Sequence, residues 1–138
     1  MDALAAAMRA DSNLAMATLA TPIVDADEWG NPNVVKVVCD YRGDALYFSR
    51  SPIPFLCDGG IPANALRHIG VYGYRRHFLL QFATLRPGVL EQIEKLEQLR
   101  ALEAGMTIAV ARVDSVPLSV DTEEDLKKAR ELMSREKK

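Results

Sequence analysis

The sequence lacks the features that mark secreted, membrane-spanning and nucleic-acid-binding proteins. Its two cysteines, Cys39 and Cys57, are too few for a disulfide framework and lack metal-ligand spacing. No apolar run approaches the ~20 residues that a membrane span needs. Nineteen acidic and seventeen basic residues give a net charge of -2, whereas nucleic-acid-binding domains are usually basic. Asp2 stands where a secretory signal carries basic residues, so we expect a cytoplasmic protein.

The composition is that of a folded globular domain. Hydrophobic residues make up 49% and charged residues 26% of the 138 residues, which argues against low complexity and disorder. No internal repeat is visible in the sequence. We therefore expect one domain over residues 1–138.

The pattern of apolar and turn-forming residues predicts alternating helices and strands. Strong helix formers indicate a short helix over 3–9, and a small apolar run indicates a buried strand over 14–19. The further expected elements are a turn over 25–33, a hairpin of strands 34–39 and 45–48, a loop over 51–63, a strand over 69–74, helices over 78–85 and 89–104, a strand over 107–113 and a last helix capped by Thr122. This alternation predicts an α/β fold with a sheet of mixed direction.

The helix expected over 89–104 carries a carboxylate on its apolar side. At ~100° per residue, Glu97 falls within the arc formed by Leu90, Ile93, Leu96 and Leu99. A carboxylate in such a place must be paired or must face a polar site. An ion pair with Arg100 at i,i+3 is one interpretation, and a ligand pocket lined by Glu97 and Gln98 is the other.

The strand over 69–74 carries a second candidate cluster. Period-2 alternation puts His68, Gly70, Tyr72 and Tyr74 on one face, and the small Gly70 leaves room for a ligand above it. A histidine beside tyrosines is more often a hydrogen-bonded structural residue. The pattern alone leaves both interpretations open, and it favours packing for Tyr74.

Two further residues have chemistry suited to a site. Arg50 ends a strand and would grip a carboxylate or phosphate with two parallel hydrogen bonds, although a surface charge is an equal alternative. Asp121 lies between a strand and a helix, where acidic residues are usually local caps. The same position in α/β sheets also holds metal-binding carboxylates.

Taken together, five ordered segments resemble the CMP-Kdo synthetases, which are 3-deoxy-manno-octulosonate cytidylyltransferases. The segments are 31–38 (NPNVVKVV), 45–50 (ALYFSR), 67–75 (RHIGVYGYR), 96–100 (LEQLR) and 120–126 (VDTEEDL). The resemblance runs from about Leu14 to the last helix. The loop between 55 and 65 is its least regular part.

The resemblance implies a fold, a reaction and a set of site residues. The fold would be part of a Rossmann-like sheet of the nucleotide-diphospho-sugar transferase type, with a β-hairpin lobe. The reaction would transfer CMP from CTP to Kdo and release pyrophosphate, for lipopolysaccharide biosynthesis. The residues implied to contact the sugar acid are His68, Tyr72, Glu97, Gln98 and Arg50. Asp121 would be a ligand of magnesium, the implied cofactor.

The resemblance covers the C-terminal half of such enzymes, without the loops that hold CTP and a second metal carboxylate. We therefore expect weak magnesium binding by Asp121, no turnover by this chain alone and an open apolar sheet edge beside residues 14–19. The expected partners are a separate N-terminal half and a second copy of the chain. The alternative is a non-catalytic remnant that acts as a dimerising or sugar-binding module. RNA binding is a distant third option that the acidic pI disfavours.

Overall fold

The structure of the chain is a computed structural model that describes residues 1–114 and 123–136. Its centre is a five-stranded mixed sheet in the order β3-β2-β4-β1-β5. The strands are β1 (Met16–Pro22), β2 (Lys36–Cys39), β3 (Ala45–Ser49), β4 (Leu66–Tyr74) and β5 (Ala109–Arg112). The helices in the described ranges are α1 (Asp2–Ala10), α2 (Ala26–Gly30), α3 (Arg76–Thr84), α4 (Val89–Glu94), α5 (Leu99–Glu103) and α6 (Glu123–Glu136). The expected α/β class with a mixed sheet is confirmed.

β1 lies inside the sheet, and all of its residues except Pro22 are buried. It pairs antiparallel with β4 on one side and parallel with β5 on the other. The expected open edge beside residues 14–19 is therefore wrong, because β5, distant in sequence, covers that flank. β4, between β2 and β1 in the sheet, has a partly open flank on its β2 side. β2 pairs with β4 at Lys36 and Arg67, and within the described ranges no strand pairs with the rest of that flank.

The hairpin of β2 and β3 is confirmed, and its turn is built from side-chain and glycine chemistry. The Asp40 carboxylate accepts hydrogen bonds from the backbone N–H groups of Arg42 and Asp44, at 2.9 and 3.0 Å. Gly43 adopts the left-handed conformation with φ 85°, which glycine adopts without steric cost. The Val110 N–H donates to the Gly43 carbonyl at 2.9 Å, so the turn closes against β5.

Helices cover both faces of the sheet. α1 packs its buried Leu4 with Leu19 and Ile69 on one face. Gly73 permits this approach, because a Cβ atom there would lie 3.1 Å from the Met8 side chain. The larger core lies on the other face, under α3, α4 and α5. Its buried members include Phe48, Phe78, Phe82, Leu96 and Leu99.

The single helix predicted over 89–104 is wrong, because the chain forms two short helices separated by residues 95–98. Lys95 adopts the left-handed conformation with φ 58°, which ends α4. The break also invalidates the predicted apolar arc. Leu90 and Ile93 are 39% and 72% exposed, whereas Leu96 and Leu99 are buried.

Two other predictions concern turns and caps. Residues 25–33, predicted as a turn, contain the one-turn helix α2. Its N-terminus is capped by Asp25, whose carboxylate accepts from the Asp27 N–H at 2.8 Å. The predicted cap Thr122 and the candidate ligand Asp121 lie outside the described residues. Within the described ranges, no helix combines the length and the apolar character that crossing a membrane requires.

Candidate functional site

A row of aromatic rings crosses one face of the sheet, from β3 through β4 to α3. Neighbouring ring centroids are separated by 4.9 to 6.3 Å. We call this row the aromatic face; its members, in spatial order, are Phe48, His68, Tyr72, Tyr74, Phe78 and Phe82. The prediction that His68, Tyr72 and Tyr74 share a face is confirmed. A Cβ atom added at Gly70 would meet no heavy atom within 4 Å, so the space beside it is open.

His68 is the most enclosed polar group of the aromatic face. The residue is 9% exposed, and its Nε2 atom lies 2.8 Å from the Thr18 hydroxyl of β1. The ring also meets Phe48 edge-on at 4.9 Å. Burial lowers the pKa of His68 from 6.5 to about 4, so its imidazole is neutral at physiological pH.

Tyr72 and Tyr74 present phenol groups that stay protonated. Burial raises the pKa of Tyr72 and Tyr74 above the usual range, and the carboxylate of Glu97 raises both further. Neither hydroxyl hydrogen-bonds another described residue, and neither is a buried unpartnered atom. Glu97 therefore lies near both phenol groups.

Glu97 and Gln98 lie within the break between α4 and α5. Glu97 is exposed, while Gln98 is 7% exposed. The Gln98 amide makes no hydrogen bond to the other described residues, yet it is not a buried unpartnered group. A largely enclosed amide that makes no hydrogen bond to the other described residues is a candidate ligand-contacting group.

Of the two interpretations of Glu97, the ion pair with Arg100 is not formed. Arg100 instead forms a two-pronged pair with Glu91, with N–O distances of 2.8 and 2.6 Å. The guanidinium also lies 5.3 Å from the centre of the Phe82 ring. This arrangement follows from the break at Lys95, because it brings the two helices together and leaves the Glu97 carboxylate without a cation among the described residues.

Arg50 lies against the break between α4 and α5. Its guanidinium donates to the carbonyls of Glu94 at 2.8 Å, Pro32 at 3.0 Å and Lys95 at 3.3 Å. A continuous helix would give the Glu94 and Lys95 carbonyls to N–H groups one turn later. Arg50 satisfies them from the side, so the helix ends there without orphaned carbonyls. The side chain that was predicted to grip the sugar acid thus holds the turn that presents Glu97 and Gln98.

Sequence reasoning missed two residues that organise this region. Glu94 accepts hydrogen bonds from the Ser49 hydroxyl at 2.6 Å and the Arg50 N–H at 3.0 Å. Burial raises the pKa of the Glu94 carboxyl, but these hydrogen bonds outweigh it and leave the pKa below its usual value. Thr18 was hidden in an apolar run. The available signal was that a hydroxyl in a buried strand must find a hydrogen-bond partner.

The described residues contain no cluster of protein ligands for a metal ion. They contain no group of three or more possible ligands among histidine, cysteine, aspartate and glutamate. Magnesium prefers carboxylates together with phosphate oxygens and water. A site of that kind needs only one or two carboxylates from the protein, and the candidate Asp121 lies outside the described residues.

Comparison with known proteins places the chain in a family. Residues 1–108 match the model of the cytidylyltransferase family. The chain is 52% identical over 127 residues to the 3-deoxy-manno-octulosonate cytidylyltransferase of Xanthomonas oryzae pv. oryzae, covering 86% of this chain and 49% of the relative. It is 49% identical over 134 residues to the enzyme of the same name from Syntrophotalea carbinolica, covering 91% of this chain and 54% of the relative.

A solved structure agrees in fold and in family. The structure of a CMP:2-keto-3-deoxy-manno-octonic acid synthetase complexed with CTP superposes with a TM-score of 0.84 and 43% identity, over 96% of this chain and 54% of that one. The chain thus spans about half the length of the relatives that it matches. It belongs to the cytidylyltransferase family, and its similar relatives within that family are CMP-Kdo synthetases.

Proposed function

We propose that the chain is the part of a CMP-Kdo synthetase that binds the sugar acid, and that it takes part in forming CMP-Kdo from CTP and Kdo for lipopolysaccharide biosynthesis. The observation that carries this proposal is Gln98. It is 7% exposed and makes no hydrogen bond to the other described residues, and its neighbour Glu97 lies close enough to Tyr72 and Tyr74 to raise the pKa of both. Relatives of about 50% identity carry the name of this enzyme.

The chemistry of the free groups suits a polyhydroxylated acid. Glu97 accepts hydrogen bonds from hydroxyl groups, whereas Gln98 and Tyr72 both donate and accept. Tyr74 extends the stacked surface against which the apolar side of a sugar packs. A sugar acid also needs a cation for its carboxylate. Arg50 stays our candidate for that role, because its contacts with three carbonyls leave part of its five-donor fork unused.

We further propose that CTP and magnesium bind with the help of a complementary polypeptide, the N-terminal half of such an enzyme. The open flank of β4 supports this, because an uncovered strand flank is a template for another strand. Asp121 is proposed to give magnesium one carboxylate, so magnesium binding by this chain alone should be weak. Nucleotidyl transfer depends on positioning and charge neutralisation, which half of a site cannot supply.

Pyrophosphate release from CTP and Kdo with magnesium tests this proposal. We expect no turnover by the chain alone, and turnover after addition of the complementary half of the Xanthomonas oryzae relative. An Asp121→Asn variant in the same mixture should lower turnover at least ~100-fold if the carboxylate holds the metal. Magnesium-dependent CMP-Kdo formation by the chain alone would refute the requirement for a second half.

A non-catalytic, dimerising module is the second candidate. It is favoured by the hairpin, where Tyr41 and Leu46 are exposed, and by an adjoining hollow of about 450 Å³ beside Cys39 and Tyr47. Light scattering of the purified chain distinguishes a dimer from a monomer. A dimer that a Leu46→Lys change converts to a monomer would support the interface, and a monomeric wild-type chain would exclude it.

A further inference from the structure

The hydrogen bonds around Thr18 determine which nitrogen of His68 carries the proton. The Thr18 hydroxyl oxygen lies 2.8 Å from His68 Nε2, 2.9 Å from the Val71 carbonyl oxygen and 3.2 Å from the Ile69 carbonyl oxygen. Both carbonyls belong to the irregular part of β4, where the register with β1 shifts between Thr18 and Leu19. One hydroxyl proton must therefore serve three neighbouring atoms.

Only one protonation pattern avoids a repulsive contact. If the hydroxyl donated to Nε2, its oxygen would face two carbonyl oxygens at 2.9 and 3.2 Å with no hydrogen between them. Carbonyl oxygens cannot donate. If the hydroxyl instead donates to the Val71 carbonyl, with the Ile69 carbonyl as a weaker shared acceptor, the Nε2–H group of His68 donates to the hydroxyl. Every atom of the group is then satisfied.

The other ring nitrogen, Nδ1, is then left as an acceptor. No hydrogen bond from a described residue reaches it, and it is not among the buried atoms that lack a partner. The ring cannot easily rotate away, because Phe48 meets it edge-on and Tyr72 lies over it at 5.5 Å. A neutral acceptor binds a hydroxyl group and disfavours a carboxylate, which has no proton to donate.

We infer that Thr18 is a positioning residue that holds His68 as the Nε2–H tautomer, so that Nδ1 accepts a hydrogen bond from a hydroxyl of the bound sugar acid. The acceptor role rests on the proposed function, whereas the tautomer does not. Together with Glu97, this gives the site two acceptors that demand hydroxyl donors. His68 therefore orients the hydroxylated side of the sugar toward β4 and the carboxylate away from it.

Imidazole ¹⁵N NMR of the full chain tests the tautomer directly. A His77→Gln background leaves His68 as the single histidine and assigns its signals. We expect a protonated-nitrogen shift for Nε2 and an unprotonated-nitrogen shift for Nδ1 at pH 7. Thr18→Ser, which keeps the hydroxyl, should preserve this pattern, and Thr18→Val should give a mixture of tautomers. An Nδ1–H tautomer in the wild-type background would overturn the inference even if Thr18→Val failed to fold.

Titration with Kdo separates this inference from the proposed function. We expect the Nδ1 signal to move as Kdo binds, and Thr18→Val to weaken binding ~10-fold while Thr18→Ser changes it little. Kdo binding, seen on backbone amides, without movement of Nδ1 would overturn the acceptor role while leaving the sugar site intact. No Kdo binding at all would refute the sugar site and the acceptor role together, whereas the tautomer would still be decided by the free protein.

Discussion

β4 and the segment from α4 to α5 carry the two halves of the candidate site, and they obey their sequence patterns to different degrees. In β4, period-2 alternation places His68, Tyr72 and Tyr74 on one face, as the sequence predicts. In the other segment, a helical pattern continues past Lys95 although the helix does not. β4 pairs with β1 from Leu66 to Tyr74, interrupted by one register shift between Thr18 and Leu19. The last carbonyls of a helix can accept from any donor nearby. Here the Glu94 and Lys95 carbonyls accept from the Arg50 guanidinium.

The largest expected effect is the pH dependence of stability that His68 on β4 produces. Its folded pKa of about 4 lies below the unfolded value of 6.5, so the unfolded state binds more protons between these values. Stability is therefore fully present above pH 6.5 and falls as the pH drops toward 4, by about 3 kcal/mol in total. Urea unfolding at pH 7, 5.5 and 4.5 measures the loss.

The control for this pH dependence is a pair of histidine variants. His68→Gln should flatten the stability profile between pH 4.5 and 6.5, because it removes the buried titrating group. His77→Gln, which changes the exposed histidine of α3, should leave the slope unchanged. Equal slopes in wild type and His68→Gln would show that His68 is not enclosed as described.

A smaller loss of stability is expected from a change at the break between α4 and α5. Arg50→Met removes the donors to the Glu94 and Lys95 carbonyls, so we expect a loss of about 2 kcal/mol in the free energy of unfolding. The matched change at the exposed Arg86, Arg86→Met, should cost under about 0.5 kcal/mol. Denaturant midpoints of the two variants provide the measurement. Equal midpoints would mean that Arg50 does not hold the break.

The smallest expected effect has the opposite sign. Lys95→Gly should raise stability by roughly 0.5 kcal/mol, because glycine adopts φ 58° without the steric cost that lysine bears there. Lys127→Gly, in the regular helix α6, should instead lower it by about 1 kcal/mol. Thermal unfolding of both variants checks the signs. Destabilisation by Lys95→Gly would argue for a continuous helix.

The sequence was informative wherever short-range patterns and tertiary structure agree. The hairpin, the aromatic face of β4 and the buried run of β1 all follow from alternation and turn residues. Three features depend on residues that are distant in the chain. Arg50 interrupts a helix more than forty residues away, Thr18 meets His68 across fifty positions, and β5 covers β1 from the far end of the fold.

The candidate site residues also differ in how far the sequence could predict their contacts. Resemblance selected Gln98 and Tyr72, and the structure gives both of them free hydrogen-bonding groups, but their contact with a sugar acid stays a prediction. Arg50 was chosen because its guanidinium suits a carboxylate. The sequence could not show that three backbone carbonyls already accept hydrogen bonds from it. The role of Asp121 also stays a prediction, since it lies outside the described residues.

Kdo titration into the chain, followed by calorimetry, tests the proposed sugar-acid site most directly. We predict that the wild type binds Kdo, that Gln98→Leu weakens binding at least ~10-fold and that Gln81→Leu, an equivalent change at an exposed position of α3, binds like wild type. Absence of binding by the wild type, or equal binding by Gln98→Leu, would contradict the assignment of this face as the sugar-acid site.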